Sequence, residues 1–185
     1  MKKSLILDTA HLLLTSLIHP NDVVIDATMG NGLDTLFLAK LAKHVYAFDI
    51  QKQALLNTQS LLEKENVTNV TLIFDSHEHI LNYVSDFKGV VFNLGYLPSS
   101  DKSITTKKET TLKTLEAILP KLKQNGFILM VVYVGHKAGL EESFGIDDFL
   151  SNLNPDVYKI MKIELPYQQN KPPYVILIHQ TKDVC

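Results

Sequence analysis

The sequence predicts an α/β fold, a seven-stranded mainly parallel sheet with helices on both faces and a C-terminal antiparallel hairpin. Three observations carry this. Short β-branched runs alternate along the chain with helical segments of roughly 8 to 18 residues, the pattern of successive βαβ units. The last two strand runs are joined without a helix, which makes them antiparallel neighbours. Turn-forming glycine, asparagine and aspartate residues follow the strand runs, where ligands of open parallel sheets bind.

The elements follow in order. Residues 4–18 place Ile6, Ala10, Leu13, Leu14 and Leu17 at helical spacing, and His19-Pro20-Asn21-Asp22 ends that helix. Val23–Ile25 is a short buried strand, followed by a glycine turn and a helix over 34–43. His44–Phe48 is a strand, 52–65 a helix, Val70–Phe74 a strand and 77–83 a helix-like segment. Gly89–Phe92 is the fourth strand; a lysine-bearing helix over 106–123 then ends at Asn125-Gly126, a C-cap signal. Phe127–Val134 is the most apolar strand and 146–153 a short helix. Tyr158–Leu165 and Tyr174–His179 close the sheet.

A chain of 185 residues forms one domain, 1–185, with residues 1–20 as an N-terminal helix packed on the core. Its 45% apolar and 21% charged residues exclude collagen, coiled coil and disorder. No apolar run approaches the ~18 residues of a membrane span, so no membrane partner is expected. No charged-then-apolar leader opens the chain and Cys185 is the single cysteine, so the expected compartment is cytoplasmic. The net charge of −2 gives no global footprint for nucleic acid, and all 18 basic residues are lysines. Phosphates would therefore meet ammonium groups and backbone amides rather than guanidinium forks.

The loops after the strands carry the chemistry. After the first stand Asp26, Thr28, Gly30, Asn31 and Gly32, with Asp34 and Thr35 opening the next helix. The paired glycines allow close backbone approach to a ligand, although Thr35 breaks the G-x-G-x-x-G fingerprint and no P-loop lysine follows. Asp49, seventeen residues beyond Gly32, is placed to accept both hydroxyls of a ribose, with Ile50 and Gln51 beside it. It would equally cap the helix at Lys52. After the third strand, Ser76 and His77 would border a base, while Asp75 and Ser76 also suit capping. His77-x-His79 lacks a third metal ligand, so no metal is expected. After the fourth strand stands Asn93-Leu94-Gly95-Tyr96-Leu97-Pro98.

That last segment resembles the N-P-P-Y motif of methyltransferases acting on amino nitrogens, and the glycine turn resembles their D-x-G-x-G-x-G motif with Thr28 in place of the first glycine. With Leu5-Ile6-Leu7-Asp8-x-Ala10-His11, Asp26 to Leu38, Phe48-Asp49-Ile50-Gln51, Tyr133-x-Gly135-His136, Glu141-Glu142 and Asn170-x-Pro172-Pro173, nearly the whole chain is similar to a bacterial family labelled rRNA methylase. That family is associated with methylation of 5-aminomethyl-2-thiouridine at the tRNA wobble position. Lys137-Ala138 departs from the glycine common there in the family.

The resemblance implies a Rossmann-like class I methyltransferase fold and S-adenosylmethionine as cofactor, giving S-adenosylhomocysteine. Asp26, Thr28, Gly30, Asn31, Gly32, Asp34, Thr35, Asp49, Ile50, Gln51, Ser76, His77 and Asn93 would hold the cofactor. The Asn93 side-chain oxygen and Leu94 carbonyl would accept hydrogen bonds from the target amine, and Tyr96 would pack on the base beside Gly95 and Tyr133. The amine must be neutral to attack; His136 would take its proton, or the neutral fraction would bind directly. Residues 101–124 carry six lysines against Asp101, Glu109 and Glu116, and Lys102, Lys107 and Lys108 would contact phosphates unless this is simply a solvated helix face. The expected partner is a tRNA anticodon stem-loop, met by a homodimer. Competing possibilities are methylation of rRNA or a small amine, a nicotinamide oxidoreductase, and a non-catalytic nucleoside-binding module.

Overall fold

The structure, a computed structural model, describes residues 4–95 and 106–182. Tyr96, Leu97, Pro98, Lys102 and Cys185, singled out above, lie outside the described residues. The elements are α1 (Leu5–Leu17), β1 (Val23–Asp26), α2 (Leu33–Ala39), β2 (His44–Asp49), α3 (Lys52–Lys64), β3 (Val70–Phe74), a 3-10 turn (His77–Asn82), β4 (Gly89–Leu94), α4 (Lys108–Ile118), β5 (Phe127–Val132), α5 (Lys137–Ser151), β6 (Tyr158–Ile163) and β7 (Tyr174–Gln180). They form one sheet of order β3-β2-β1-β4-β5-β7-β6. Strands β1 to β5 pair in parallel, and β7 pairs antiparallel with both β5 and β6. The chain runs outward from β1 through β2 to β3, then crosses back to β4, so strand order reverses between β1 and β4.

Strand alternation divides the core between the two faces. Val90, Phe92, Leu94, Ile128, Met130 and Val132 point to one side, where Leu115 and Ile118 of α4 and Ile146 and Leu150 of α5 cover them. Val91, Leu129, Val131, Val175 and Leu177 point to the other, against Ile6, Ala10 and Leu14 of α1 and Leu38 and Ala39 of α2. Asn93 shares the phase of Val91, so its side chain emerges on the α1 and α2 side. Helix α1 is thereby part of the core: Ile6, Leu14 and the following Ile18 are each at most 4% exposed, contributing roughly 1.5–3 kcal/mol apiece.

Three helices are bounded differently from the sequence expectation, each for a local reason, and β5 and β6 each end two residues early, at Val132 and Ile163. Helix α2 stops at Ala39 instead of reaching residue 43, because the Asn69 amide caps the carbonyls of Ala39 and Ala42 at 2.9 and 3.1 Å. Helix α4 starts at Lys108 and stops at Ile118, since Pro120 has no N–H to continue it and a 3-10 turn follows. Helix α5 begins at Lys137, not 146; its glycines are packing positions. A Cβ on Gly139 would strike the Tyr133 carbonyl, and one on Gly145 would meet the Lys108 stem at 2.6 Å. Among the described residues no helix is long and apolar enough to cross a membrane.

Candidate functional site

The turn after β1 is shaped from beneath by Asp26. Its carboxylate accepts the Thr28 N–H at 3.1 Å and the Thr35 hydroxyl at 2.6 Å. Asp26 and Thr35 are both buried, and their bond sets the turn's shape from inside. Burial, reinforced by the Asp34 charge, pushes the Asp26 pKa up to about 7. Gly30 and Gly32 adopt left-handed φ values of 50° and 80°. At Gly32 a Cβ would lie 2.8 Å from Thr58, whose hydroxyl donates to the Gly30 carbonyl at 3.1 Å. Asn31 accepts from the Asn57 amide at 2.8 Å. Thr58 and Asn57, on α3, escaped the sequence reading because only the fold brings α3 under the turn.

Asp49 ends β2 and closes on the same turn. Its carboxylate accepts the N–H of Gly30 at 3.1 Å and of Gln51 at 2.8 Å, and burial raises its pKa. The Ile50 N–H also bonds this carboxylate, and its remaining acceptor capacity suits a ligand hydroxyl. Ile50 beside it is 56% exposed, an apolar face at the strand's carboxyl end. Ser76 caps the 3-10 turn by accepting the Glu78 N–H. His77 turns inward, edge-on to Phe92 with ring centroids 5.7 Å apart. Its buried Nε2 meets no hydrogen-bond partner among the described residues, and burial pulls its pKa down to about 4, leaving a neutral ring. His79 instead pairs with Asp75 at 2.9 Å. Among the described residues no group of three or more His, Cys, Asp and Glu is arranged to hold a metal ion. The glycine turn, the carboxylate with its apolar neighbour and the unsatisfied polar atom of His77 fit a nucleoside-bearing cofactor.

Asn93 stands at the reversal point. Its backbone N–H donates to the Thr28 hydroxyl at 2.7 Å, a bond that glycine at position 28 would not make. Its side-chain Nδ2 donates to Asp34 at 2.9 Å. The other Asp34 oxygen is 2.8 Å from His11 Nε2, and the His11 ring stacks on Phe37 at 3.9 Å between centroids. His11 was legible in sequence as part of the opening helix motif, without a role. Gly95 lies against the Tyr133 ring, where an added Cβ would sit 3.7 Å away. Across the intervening segment, Gly95 accepts the Thr106 N–H at 3.1 Å. Buried Glu142 accepts the hydroxyls of Thr106 at 2.9 Å and Thr111 at 2.6 Å, which pins the start of α4 to α5.

His136 is the N-cap of α5: its Nδ1 accepts the Gly139 N–H at 3.0 Å. The lysines are dispersed. Lys113 pairs with Glu78 at 3.0 Å and Lys123 with Asp86 at 2.7 Å, while the Lys108 stem packs beneath Gly145. Lys107 is exposed at the N-cap of α4.

Comparison with known proteins agrees with this geometry. Residues 45–179 match the model of the family "Putative rRNA methylase". The chain is 38% identical to the Arabidopsis thaliana chloroplastic "tRNA (mnm(5)s(2)U34)-methyltransferase", over 95% of this chain and 68% of that protein. A Clostridium thermocellum structure described as a "putative rRNA-methylase" superposes with a TM-score of 0.91 at 36% identity, covering 97% of this chain and all of that one. A Streptococcus mutans "putative methyltransferase", solved in complex with SAH, gives 0.89 at 40% identity, covering 97% and 99%. The chain belongs to this rRNA methylase family and is a methyltransferase of the tRNA and rRNA type, built on the class I S-adenosylmethionine-dependent fold.

Proposed function

We propose that this protein methylates the aminomethyl nitrogen of 5-aminomethyl-2-thiouridine at the wobble position of tRNA, giving 5-methylaminomethyl-2-thiouridine. The observation that carries the proposal is Asn93: it sits where strand order reverses, and its Nδ2 is committed to Asp34. A carboxylate only accepts, so the amide's oxygen is the end left to face a substrate donor. The name of the plant relative supports the choice of amine.

In this reading the Gly30–Gly32 turn, Asp49, Ile50, Gln51, Ser76 and His77 hold S-adenosylmethionine, with Asp49 on the ribose hydroxyls. When bound, that cofactor supplies a methyl group activated on a sulfonium. A neutral primary amine has two N–H groups and one lone pair. Asn93 Oδ1 and the Leu94 carbonyl accept the two N–H groups, which leaves the lone pair as the nucleophile with its direction fixed. The same acceptors stabilise the positive charge that develops on nitrogen. The capped Nδ1 of His136 supports direct binding of the neutral amine rather than proton removal by this histidine.

Tyr133 and Gly95 would border the target base; Tyr96 takes its proposed stacking role from the sequence alone. Of the proposed phosphate contacts, Lys107 and Lys108 are exposed at the start of α4. The anticodon stem-loop as partner, a homodimer as the working form and the cytoplasm as compartment complete the proposal, on the family resemblance.

The test is mass spectrometry of nucleosides from tRNA of cells lacking this activity, incubated with the protein and S-adenosylmethionine. A single methyl gained on 5-aminomethyl-2-thiouridine is the expected result. Methyl transfer to rRNA or a small amine instead would overturn the substrate while keeping the reaction type.

A further inference from the structure

We infer that His11 is a positioning residue for methyl transfer, acting through Asp34 to hold the Asn93 amide in its acceptor orientation. The inference deepens the proposed function and rests on Asn93 being the acceptor for the substrate amine.

Three elements distant in sequence meet in one chain of contacts. His11 belongs to α1, Asp34 to the first turn of α2 and Asn93 to the end of β4. One carboxylate oxygen of Asp34 lies 2.8 Å from His11 Nε2, and the other accepts from Asn93 Nδ2 at 2.9 Å. Since the carboxylate has no proton to give, Nε2 of His11 carries the hydrogen of that bond. The two bonds engage opposite oxygens, so the carboxylate cannot turn about its axis without losing one of them.

The imidazole is itself held. Its ring lies 3.9 Å from that of Phe37, at 7° from parallel, so its plane is set by a residue one turn along α2 from Asp34. Its helix is anchored on both sides of it by buried Ala10 and Leu14. Ala10, His11, Asp34, Phe92 and Asn93 line a single small recess between α1 and the sheet. Helix α1 thus brings to the site a side chain that the βα units do not provide.

The orientation matters because the two ends of a carboxamide have nearly the same shape and opposite chemistry. With Oδ1 toward the substrate, Asn93 accepts an amine N–H and leaves the lone pair exposed. Turned over, it would present N–H groups that bind the lone pair and block the nucleophile. Asp34 discriminates between the two arrangements, and His11 keeps Asp34 in the plane where it does so. Loss of His11 should therefore slow transfer more than it weakens binding.

The experiment compares wild type, His11→Ala, His11→Gln and Asp34→Asn. Rates are measured with tRNA from cells lacking this activity, and S-adenosylmethionine affinity by calorimetry. The expected result is a kcat lowered about tenfold in His11→Ala, with KM for tRNA and cofactor affinity within about twofold of wild type. The Gln side chain also places an N–H donor near Asp34, so His11→Gln recovers most of the rate. Asp34→Asn, which can pair with either end of the amide, is slower than His11→Ala. Unchanged kcat in His11→Ala, a loss confined to KM, or no recovery in His11→Gln would each overturn the inference.

A second measurement needs no RNA. In the 15N-labelled protein, the Asn93 side-chain amide protons, assigned by their absence in Asn93→Ala, should shift and exchange faster in His11→Ala. If they do not move, the relay is wrong whatever the substrate. Should wild type leave this tRNA unmethylated, the proposed substrate falls, and the amide signals alone decide the role of His11.

Discussion

The Thr28 hydroxyl accepts the backbone N–H of Asn93 at 2.7 Å, joining the turn after β1 to the end of β4 across the reversal of strand order. The turn proposed to hold the cofactor and the segment proposed to orient the amine are thus one bonded unit. Thr28→Val keeps the shape but removes the acceptor, leaving a part-buried N–H unsatisfied at a cost of about 1–3 kcal/mol. The predicted outcome is a Tm lowered by several degrees and a kcat reduced several-fold, with both restored in Thr28→Ser. Thermal unfolding and steady-state kinetics check it.

Gly32 sits at φ 80° with Thr58 pressed against the place a side chain would occupy. Gly32→Ala adds left-handed strain to a contact of 2.8 Å and should destabilise the fold by about 1–3 kcal/mol. It should weaken S-adenosylmethionine binding at least tenfold by shifting the turn. Calorimetry on Gly32→Ala reads the affinity. A Thr58→Ala change in the same chain should recover part of the stability, since it removes the clash and leaves the φ strain.

Asp26 gives stability a pH dependence of known sign. Its folded pKa of about 7 lies above the unfolded value, so the native state binds the extra proton. Its contribution is fully present below about pH 4 and is lost as pH rises through about 7, to an extent of a few kcal/mol. Asp26→Asn cannot ionise. The Tm difference between wild type and Asp26→Asn should therefore move in favour of the variant from pH 4 to pH 8, and a constant difference would refute the assignment.

The fold was legible because its strands are apolar runs separated by strong turn signals. Val70–Phe74 has the predicted bounds, and the terminal hairpin pairs as the missing helix requires. The early start of α5 was hidden, since only the packing of Tyr133 and Lys108 shows why Gly139 and Gly145 are glycines within a helix. The site divides along the same line. Glycines and carboxylates placed after strands announce themselves through local spacing. The pairing of His11 with Asp34 and of Asp34 with Asn93 spans 23 and 59 residues, and no local rule connects them. Pairing within the lysine segment was hidden for a related reason. The charges of Lys113 and Lys123 are matched by Glu78 and Asp86, which belong to other parts of the chain.

The central claim is that Asn93 orients a substrate amine for methyl transfer while contributing little to holding the cofactor. The most direct measurement is methyl transfer to tRNA from cells lacking this activity, by wild type and by Asn93→Ala, with S-adenosylmethionine affinity measured on both proteins. The account predicts transfer by wild type, a fall of about 100-fold or more in Asn93→Ala, and a cofactor affinity unchanged within a few-fold. An Asn93→Ala protein that methylates the same nucleoside at the wild-type rate would contradict it.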